Sequence, residues 1–298
     1  MPTTPPDPRV STSRPDRSEE HPLSPDLVPS TRRLAVVAAV EVAVSALVLW
    51  AVLVWPSPLA WYVDLLLALV VPAAAIVWWW WTGPDRVLRS LPVEAADERR
   101  NARYANLVDG LCLSFGVEPP TLHVLADDGL NAATVAGRGS AHLVCSTGLL
   151  ERLDRVSLEG VLAHELAHLR SGDAAAATGA VTLIGYPLLG GNGPVGRTLQ
   201  PVGAALAPLR ERLYLWCLGP ERELEADLVA VHVTRYPPGL YQALVAIQRS
   251  ARPMAAIPAA TAPLWIQDPR DVTRGTAAPS RPGLHPPLEQ RIDVLGEL

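Results

Sequence analysis

Charge is scarce in this sequence. Asp, Glu, Lys and Arg make up 18% of its 298 residues, against 49% hydrophobic, and the mean hydropathy is positive at +0.19. An ordinary soluble domain carries about 25% charged residues, so composition alone argues against a chain wholly surrounded by water. Cysteine is scarcer still, with only Cys112, Cys145 and Cys217. They are far apart, odd in number and form no Cys-x-x-Cys pair, which excludes a disulfide framework and a thiolate cage for a metal. They read instead as small buried hydrophobes in a reducing compartment. No basic patch stands out and the net charge is a mild -5, so nucleic acid is not an expected partner.

What the chain does have is two long apolar runs. Residues 1–33 come first, rich in Pro, Ser, Thr, Asp and Arg. They hold too few large apolar side chains to offset the entropy of ordering, and the expectation is a disordered tail. This tail also sets the first apolar run well away from Met1, which argues against a cleaved signal peptide. Leu34 to Trp55 is then 22 residues interrupted by Glu41 and Ser45, and Leu59 to Trp81 holds a single charge, Asp64. As a helix, either run crosses a hydrocarbon layer of about 30 Å. Pro56-Ser57-Pro58 joins them as a transmembrane hairpin over 34–81, with Trp50, Trp55, Trp61 and the cluster Trp78 to Trp81 near the interfaces. Arg32 and Arg33 precede the hairpin, and Arg86 and Arg89 follow it. Basic residues at both outer ends place those ends, and the rest of the chain, on the cytoplasmic side of a cell membrane. Glu41 is the odd residue, since a carboxylate that deep is costly unless paired or protonated.

Beyond the hairpin the chemistry concentrates in Val161-Leu162-Ala163-His164-Glu165-Leu166-Ala167-His168-Leu169. On a helix His164 and His168 lie one turn apart and face the same way. Two neutral imidazoles at that spacing hold one zinc ion, with Glu165 beside them as general base, and a metal there lowers the pKa of a bound water. The bland alternative is a solvated helix that happens to carry two histidines. The apolar flanks Leu158, Val161, Leu162, Leu166 and Leu169 speak against it, because buried imidazoles and carboxylates need partners. Ser157 is the expected cap of this helix.

A catalytic zinc site needs a third protein ligand. The best stretch is Glu221-Arg222-Glu223-Leu224-Glu225-Ala226-Asp227, which opens a helix after Gly219-Pro220. Glu223 and Asp227 share one face, so Glu223 can reach the metal while Asp227 accepts a ring N–H from a ligating histidine. An acidic helix start favoured by the helix dipole is the competing explanation. It suffices for Glu221 but not for Glu223 and Asp227. Upstream, Thr121 to Leu125, Asn131 to Ala136 and Ala141 to Ser146 read as strands of a small antiparallel sheet, whose edge can align an extended peptide.

Taken together, HELAH at 164–168, RELEAD at 222–227, HPPLEQRI at 285–292, and the segment from Asn131-Ala132 to Ser146–Leu150 resemble peptidase family M48. That family comprises zinc metallopeptidases, including HtpX-like membrane proteases and the Ste24 prenyl-protein endopeptidases. The resemblance covers roughly 85–298. It implies one Zn2+ held by His164, His168 and Glu223, catalysis by Glu165, support from Asp227, substrate alignment at Asn131 and Ala132, and His285 at the cleft as an oxyanion stabiliser. The family usually has Asn-Ala-Phe-Ala where this chain has Asn131-Ala132-Ala133-Thr134. The implied fold is α+β and mostly helical, a zincin-like domain over 85–298 attached to the hairpin. A second membrane or interfacial hairpin is expected within 174–218, and Arg252 to Arg281 reads as a long loop. The implied function is a membrane-anchored zinc endopeptidase acting on misfolded or membrane-associated proteins. The alternatives are a processing peptidase for lipidated substrates and a catalytically silent scaffold.

Overall fold

The computed structural model describes residues 29–54, 61–97, 99–185, 205–250, 252, 254, 257–269 and 285–298. Two long helices open it, α1 (Pro29–Val54) and α2 (Trp61–Ser90). Both are long and apolar enough to cross a membrane, and their most apolar windows are only 6% and 17% buried. Val40, Val44, Leu47, Leu66, Val70 and Val71 stand exposed along them. Core helices of a soluble protein would hide such side chains, so this is a membrane protein. α1 starts at Pro29 and takes in residues that composition assigned to the tail; the rest of that tail, and the Pro56-Ser57-Pro58 link, lie outside the described residues.

Four strands follow: β1 (Val93–Ala95), β2 (Thr121–Leu125), β3 (Ala132–Gly137) and β4 (Ser140–Ser146). Their order in the sheet is β1-β2-β4-β3. The sheet is mixed where a purely antiparallel one was expected. β3 and β4 form a hairpin about Arg138-Gly139, yet β2 pairs parallel to β4, Thr121 beside His142 through Leu125 beside Ser146. The cause is connectivity: β3 lies on the outer side of β4, so the chain passes β4's position, turns, and returns between β2 and β3. This leaves β3 at the edge.

Helices cover both faces of the sheet. On one side, α3 (Ala102–Phe115), α4 (Thr147–Arg152), α5 (Arg155–Ser171), α8 (Arg222–Thr234), α9 (Pro237–Arg249) and α10 (Leu288–Gly296) pack around Ala132, Leu143 and Cys145. The other side meets α6 (Asp173–Ala180), the π-turn Val181–Gly185, α7 (Ala207–Leu218) and the 3-10 turn Ala259–Leu264. Leu34 of α1 and Val87 and Leu91 of α2 join this second cluster, against Ala133, Val135 and Val144. The hairpin therefore completes the sheet's core, and α2 runs unbroken from the membrane into it.

The helix bearing the histidine motif is capped by Asp154, whose carboxylate accepts from Ser157 N–H at 2.7 Å. The expected cap, Ser157, is the donor, because the helix begins three residues earlier. Gly172, at φ 82°, ends it. Of the expected second hairpin, residues 173–185 are a short helical segment, mostly buried against α1, α2 and the 3-10 turn, and 205–218 end in α7; residues 186–204 lie outside the described ones. Among the described residues only α1 and α2 have spanning length.

α5 and α9 approach so closely at Gly160 that an added Cβ would stand 2.6 Å from the backbone nitrogen of Leu240. Gly160→Ala gains about 1 kcal/mol of helix propensity but forces the backbones apart, at about 1–3 kcal/mol. The clash should win. Thermal unfolding in detergent is expected to fall by several degrees, and an unchanged or raised midpoint would refute the close approach.

Candidate active site

The site is built where α5, α8 and α10 converge under β3. His164 and His168 come from α5 and face one another edge to face, ring centroids 4.7 Å apart. Glu223 comes from the first turn of α8, and its carboxylate bridges them: Oε2 is 3.5 Å from His164 Nε2, and Oε1 is 3.6 Å from His168 Nε2. One donor atom from each residue lies within 4.8 Å of the others. Glu221 and Glu225 of the same helix point to solvent.

The donor chemistry fits one zinc ion. Two imidazole nitrogens and a carboxylate oxygen form a three-ligand set with a fourth position left over. His164 Nδ1 lies 2.8 Å from Asp227 Oδ1, whereas His164 Nε2 is buried without a hydrogen-bond partner. That is how a ligating histidine is oriented: one ring nitrogen tied to a carboxylate, the other offered to a metal. Asp173, the first residue of α6, stands 3.9 Å from His168 Nδ1 in the corresponding place for the second histidine.

Every group here is buried, and its charge is set by its neighbours. Burial disfavours a protonated His164, but the facing carboxylates of Asp227 and then Glu223 outweigh it and raise the imidazole to about 9. A metal cation on Nε2 would replace that proton and present the two carboxylates with the same sign of charge. Burial dominates at His168 and lowers it to about 4, which keeps the ring neutral. Burial works against the charge of Glu223, yet Arg222, His285 and His164 hold the carboxyl well below its usual range. Burial likewise opposes Asp227, and Arg291 keeps it ionised. Glu165 is the exception. Burial pushes it up to about 7, with His164 and the Thr134 hydroxyl pulling the other way.

Arg291 is the residue sequence reasoning undervalued. It is fully buried, gives two 2.7 Å hydrogen bonds to Asp227 in a fork, and reaches Glu223 Oε2 at 3.2 Å and the Ile266 carbonyl at 3.0 Å. The signal was present, since Leu288, Arg291 and Leu295 recur at helical spacing on one face. Asp173 and Thr134 carry no comparable periodic signal. Thr134 Oγ1 donates to Glu165 Oε2 at 2.7 Å, and it is one of the two positions where the strand departs from the motif Asn-Ala-Phe-Ala.

His285 stands with Nδ1 3.4 Å from Glu223 Oε1, and its Nε2–H donates to the Ala262 carbonyl at 3.1 Å. Asn131 and Ala132 lie at the edge of the sheet, but they meet the chain itself. Asn131 Nδ2 donates to Gln267 O at 2.9 Å, the Ala132 carbonyl accepts from Ile266 N–H at 3.0 Å, and Ala133 bridges Trp265. The stretch read as a long loop thus contains a buried strap, residues 259–267, laid along the start of β3. Trp265, 1% exposed, packs beside Ala133, where the family's aromatic is missing. Further along, Ala136 N–H is taken by Thr178. By alternation, Thr134 turns its backbone groups to the same outer side as Ala132 and Ala136, where the bridge between Ala133 and Trp265 sets Leu264 opposite it. The cleft is lined among others by Thr134, His164, Glu165, His168, Glu223 and Trp265.

Arg291→Met should leave the buried carboxylates of Asp227 and Glu223 without their countercharge, a loss of about 3–5 kcal/mol for a broken buried ion pair. Denaturant unfolding of the full chain in detergent measures it, and a loss below about 1 kcal/mol, typical of exposed pairs, would show the clamp to be dispensable.

The family model and the relatives agree with this geometry. The model for peptidase family M48 matches residues 98–298, more than half of the chain. The protein named "Protease HtpX homolog" from Dictyoglomus turgidum is 32% identical over 204 residues, covering 63% of this chain and 66% of that protein. Its namesake from Tropheryma whipplei (strain Twist) is 33% identical over 215 residues, covering 66% and 73%. The chain thus spans about two thirds of the length of these relatives. Among solved structures, the crystal structure of S. mikatae Ste24p matches with a TM-score of 0.44 at 16% identity, over 89% of this chain and 65% of that one. With its family model, its relatives and its His-His-Glu cluster in accord, this chain belongs to peptidase family M48.

Proposed function

We propose that the protein is a membrane-anchored zinc endopeptidase that hydrolyses peptide bonds of misfolded or membrane-associated proteins on the cytoplasmic side. The observation that carries this reading is the cluster of His164, His168 and Glu223 with Glu165 beside it, buried at the edge of a sheet. The name of the relatives, protease, points the same way. When bound, zinc supplies Lewis acidity, which polarises a peptide carbonyl and acidifies water.

The chain's own residues do the rest. His164, His168 and Glu223 hold the metal, and Asp227 fixes the orientation of His164. Glu165, adjacent to the ligands, takes a proton from the attacking water and returns it to the leaving amine. His285, beside Glu223, would meet the developing oxyanion only once its Nε2–H leaves the Ala262 carbonyl. Asn131 and Ala132 fix the edge along which an extended peptide lies, by anchoring the strap that narrows it. The complete ligand set and intact base disfavour the silent scaffold. The basic residues flanking the hairpin, Arg32, Arg33, Arg86 and Arg89, favour a multi-pass protein in the cell membrane with the catalytic domain inside.

The deciding experiment compares detergent-purified wild type with Glu165→Gln for cleavage of unfolded casein, with zinc quantified in both. Removal of a general base costs about 10²–10⁴ in rate, so activity should fall by that much with one zinc per chain retained, and chelation should abolish it in the wild type. Equal activity in both, or a protein without zinc, overturns the reading.

Orientation is tested separately. Ser114 is exposed on α3, whereas the three natural cysteines are buried. Ser114→Cys should resist a membrane-impermeant maleimide in intact cells and react after lysis; labelling in intact cells would place the domain outside.

A further inference from the structure

The motif assigns Glu165 its task but leaves open what holds its carboxylate in place. A carboxylate on a buried helix turns about its last torsion unless something fixes it, and its two oxygens are chemically alike. In this site they are not alike in surroundings. Thr134 Oγ1 donates to Glu165 Oε2 at 2.7 Å, and the same hydroxyl lies 3.3 Å from the Glu165 backbone carbonyl. It is the side-chain donor that meets this carboxylate among the described residues. Both partners are almost wholly buried, Thr134 at 3% and Glu165 at 2% exposed, so water does not offer a ready substitute.

Thr134 is itself held firmly. It sits mid-way along β3, paired opposite Leu143 of β4. Its neighbours on the strand are fixed to the strap at Ala132 and to Thr178 at Ala136. As a β-branched residue in a strand it has a restricted χ1. The hydroxyl is therefore a preorganised donor on a rigid element, and donors of that kind lose little on engaging a charged acceptor.

We infer that Thr134 is the positioning residue of the general base: its hydroxyl anchors Glu165 Oε2 and thereby commits Oε1 to the attacking water. The inference rests on the zinc-endopeptidase reading above and adds to it a residue that the histidine motif does not contain. One oxygen is immobilised by the strand, and the other is aimed into the cleft beside the ligands. Misplacement of a reacting group by about 1 Å can cost 10²-fold in rate, so a single hydrogen bond here matters to turnover far more than to folding.

The test uses the full chain in detergent, zinc-loaded, with casein cleavage and calorimetric binding of acetohydroxamate, a metal chelator whose affinity depends on an aligned base. Thr134→Val keeps the shape and removes the donor; Thr134→Ser keeps the donor and removes the methyl. For Thr134→Val we expect kcat to drop about 10- to 100-fold with KM within about twofold, zinc content unchanged, and acetohydroxamate binding about tenfold weaker. Thr134→Ser should recover most of both. If the valine variant fails to fold, Thr134→Ala against Thr134→Ser gives the same comparison. Wild-type kcat and hydroxamate affinity in the valine variant, or a serine variant as impaired as the valine one, overturns the role of Thr134 while leaving the enzyme reading intact. A wild type that binds neither zinc nor hydroxamate, or that matches Glu165→Gln in activity, overturns both.

Discussion

One buried arginine makes the rest of the site possible. Glu223 and Asp227 lie one turn apart on α8, both 1% exposed, and two ionised carboxylates at that separation repel one another with little water to screen them. Arg291 stands over both, in a fork to Asp227 and singly to Glu223. Its planar guanidinium suits this geometry in a way an ammonium does not. With the pair neutralised, Asp227 stays ionised and fixes His164, and Glu223 stays ionised and faces the two imidazoles. The same arginine bonds the Ile266 carbonyl, so the strap along β3 is tied to the electrostatics of the metal ligands. The last helix of the chain is therefore part of the site, although it contributes neither a ligand nor the base.

The hairpin is equally integral. Leu34, Val87 and Leu91 close the sheet face opposite the catalytic helix, and α6, which lines the cleft through Ala174 and Ala177, packs on α1 and α2. Arg86 lies 4.0 Å over Trp78, and Arg138, in the β3–β4 turn, lies 5.2 Å over Trp81. Trp and Arg pairs of this kind belong to the membrane–water boundary. The β3–β4 turn at the end of the edge strand thus packs on the tryptophan cluster of α2. Exposing Ala133, Val135 and Val144 by removing the hairpin would open an apolar sheet face, so anchoring and folding are one requirement in this chain.

Local features were legible in the sequence and tertiary ones were not. The apolar runs announced α1 and α2 because spanning length is a property of one segment. The spacing of His164 and His168, and of Glu223 and Asp227, is likewise local, and the structure brings all four together. Asp173 lies 3.9 Å from His168 across a helix break, and no periodicity links the two. Thr134 looked like a strand residue, which it is; its contact with Glu165 depends on how β3 lies over α5. The parallel β2–β4 pair escaped because alternation reveals a strand and not its neighbours. The strap escaped because Pro- and Ala-rich composition reads as loop, whereas Trp265 and the backbone bonds of Ile266 make it a covering for the edge of the sheet.

That covering bears on the edge of the sheet. An uncovered edge strand pairs with any extended chain it meets. Here the strap occupies the edge at Ala132, and Thr178 occupies it at Ala136. Thr134 lies between these two contacts, set opposite Leu264 of the strap by the bridge at Ala133, with its side chain on Glu165. The strap and Thr178 thus hold the strand on either side of the residue whose hydroxyl meets the carboxylate, so closing the edge and orienting Glu165 meet at one position on β3.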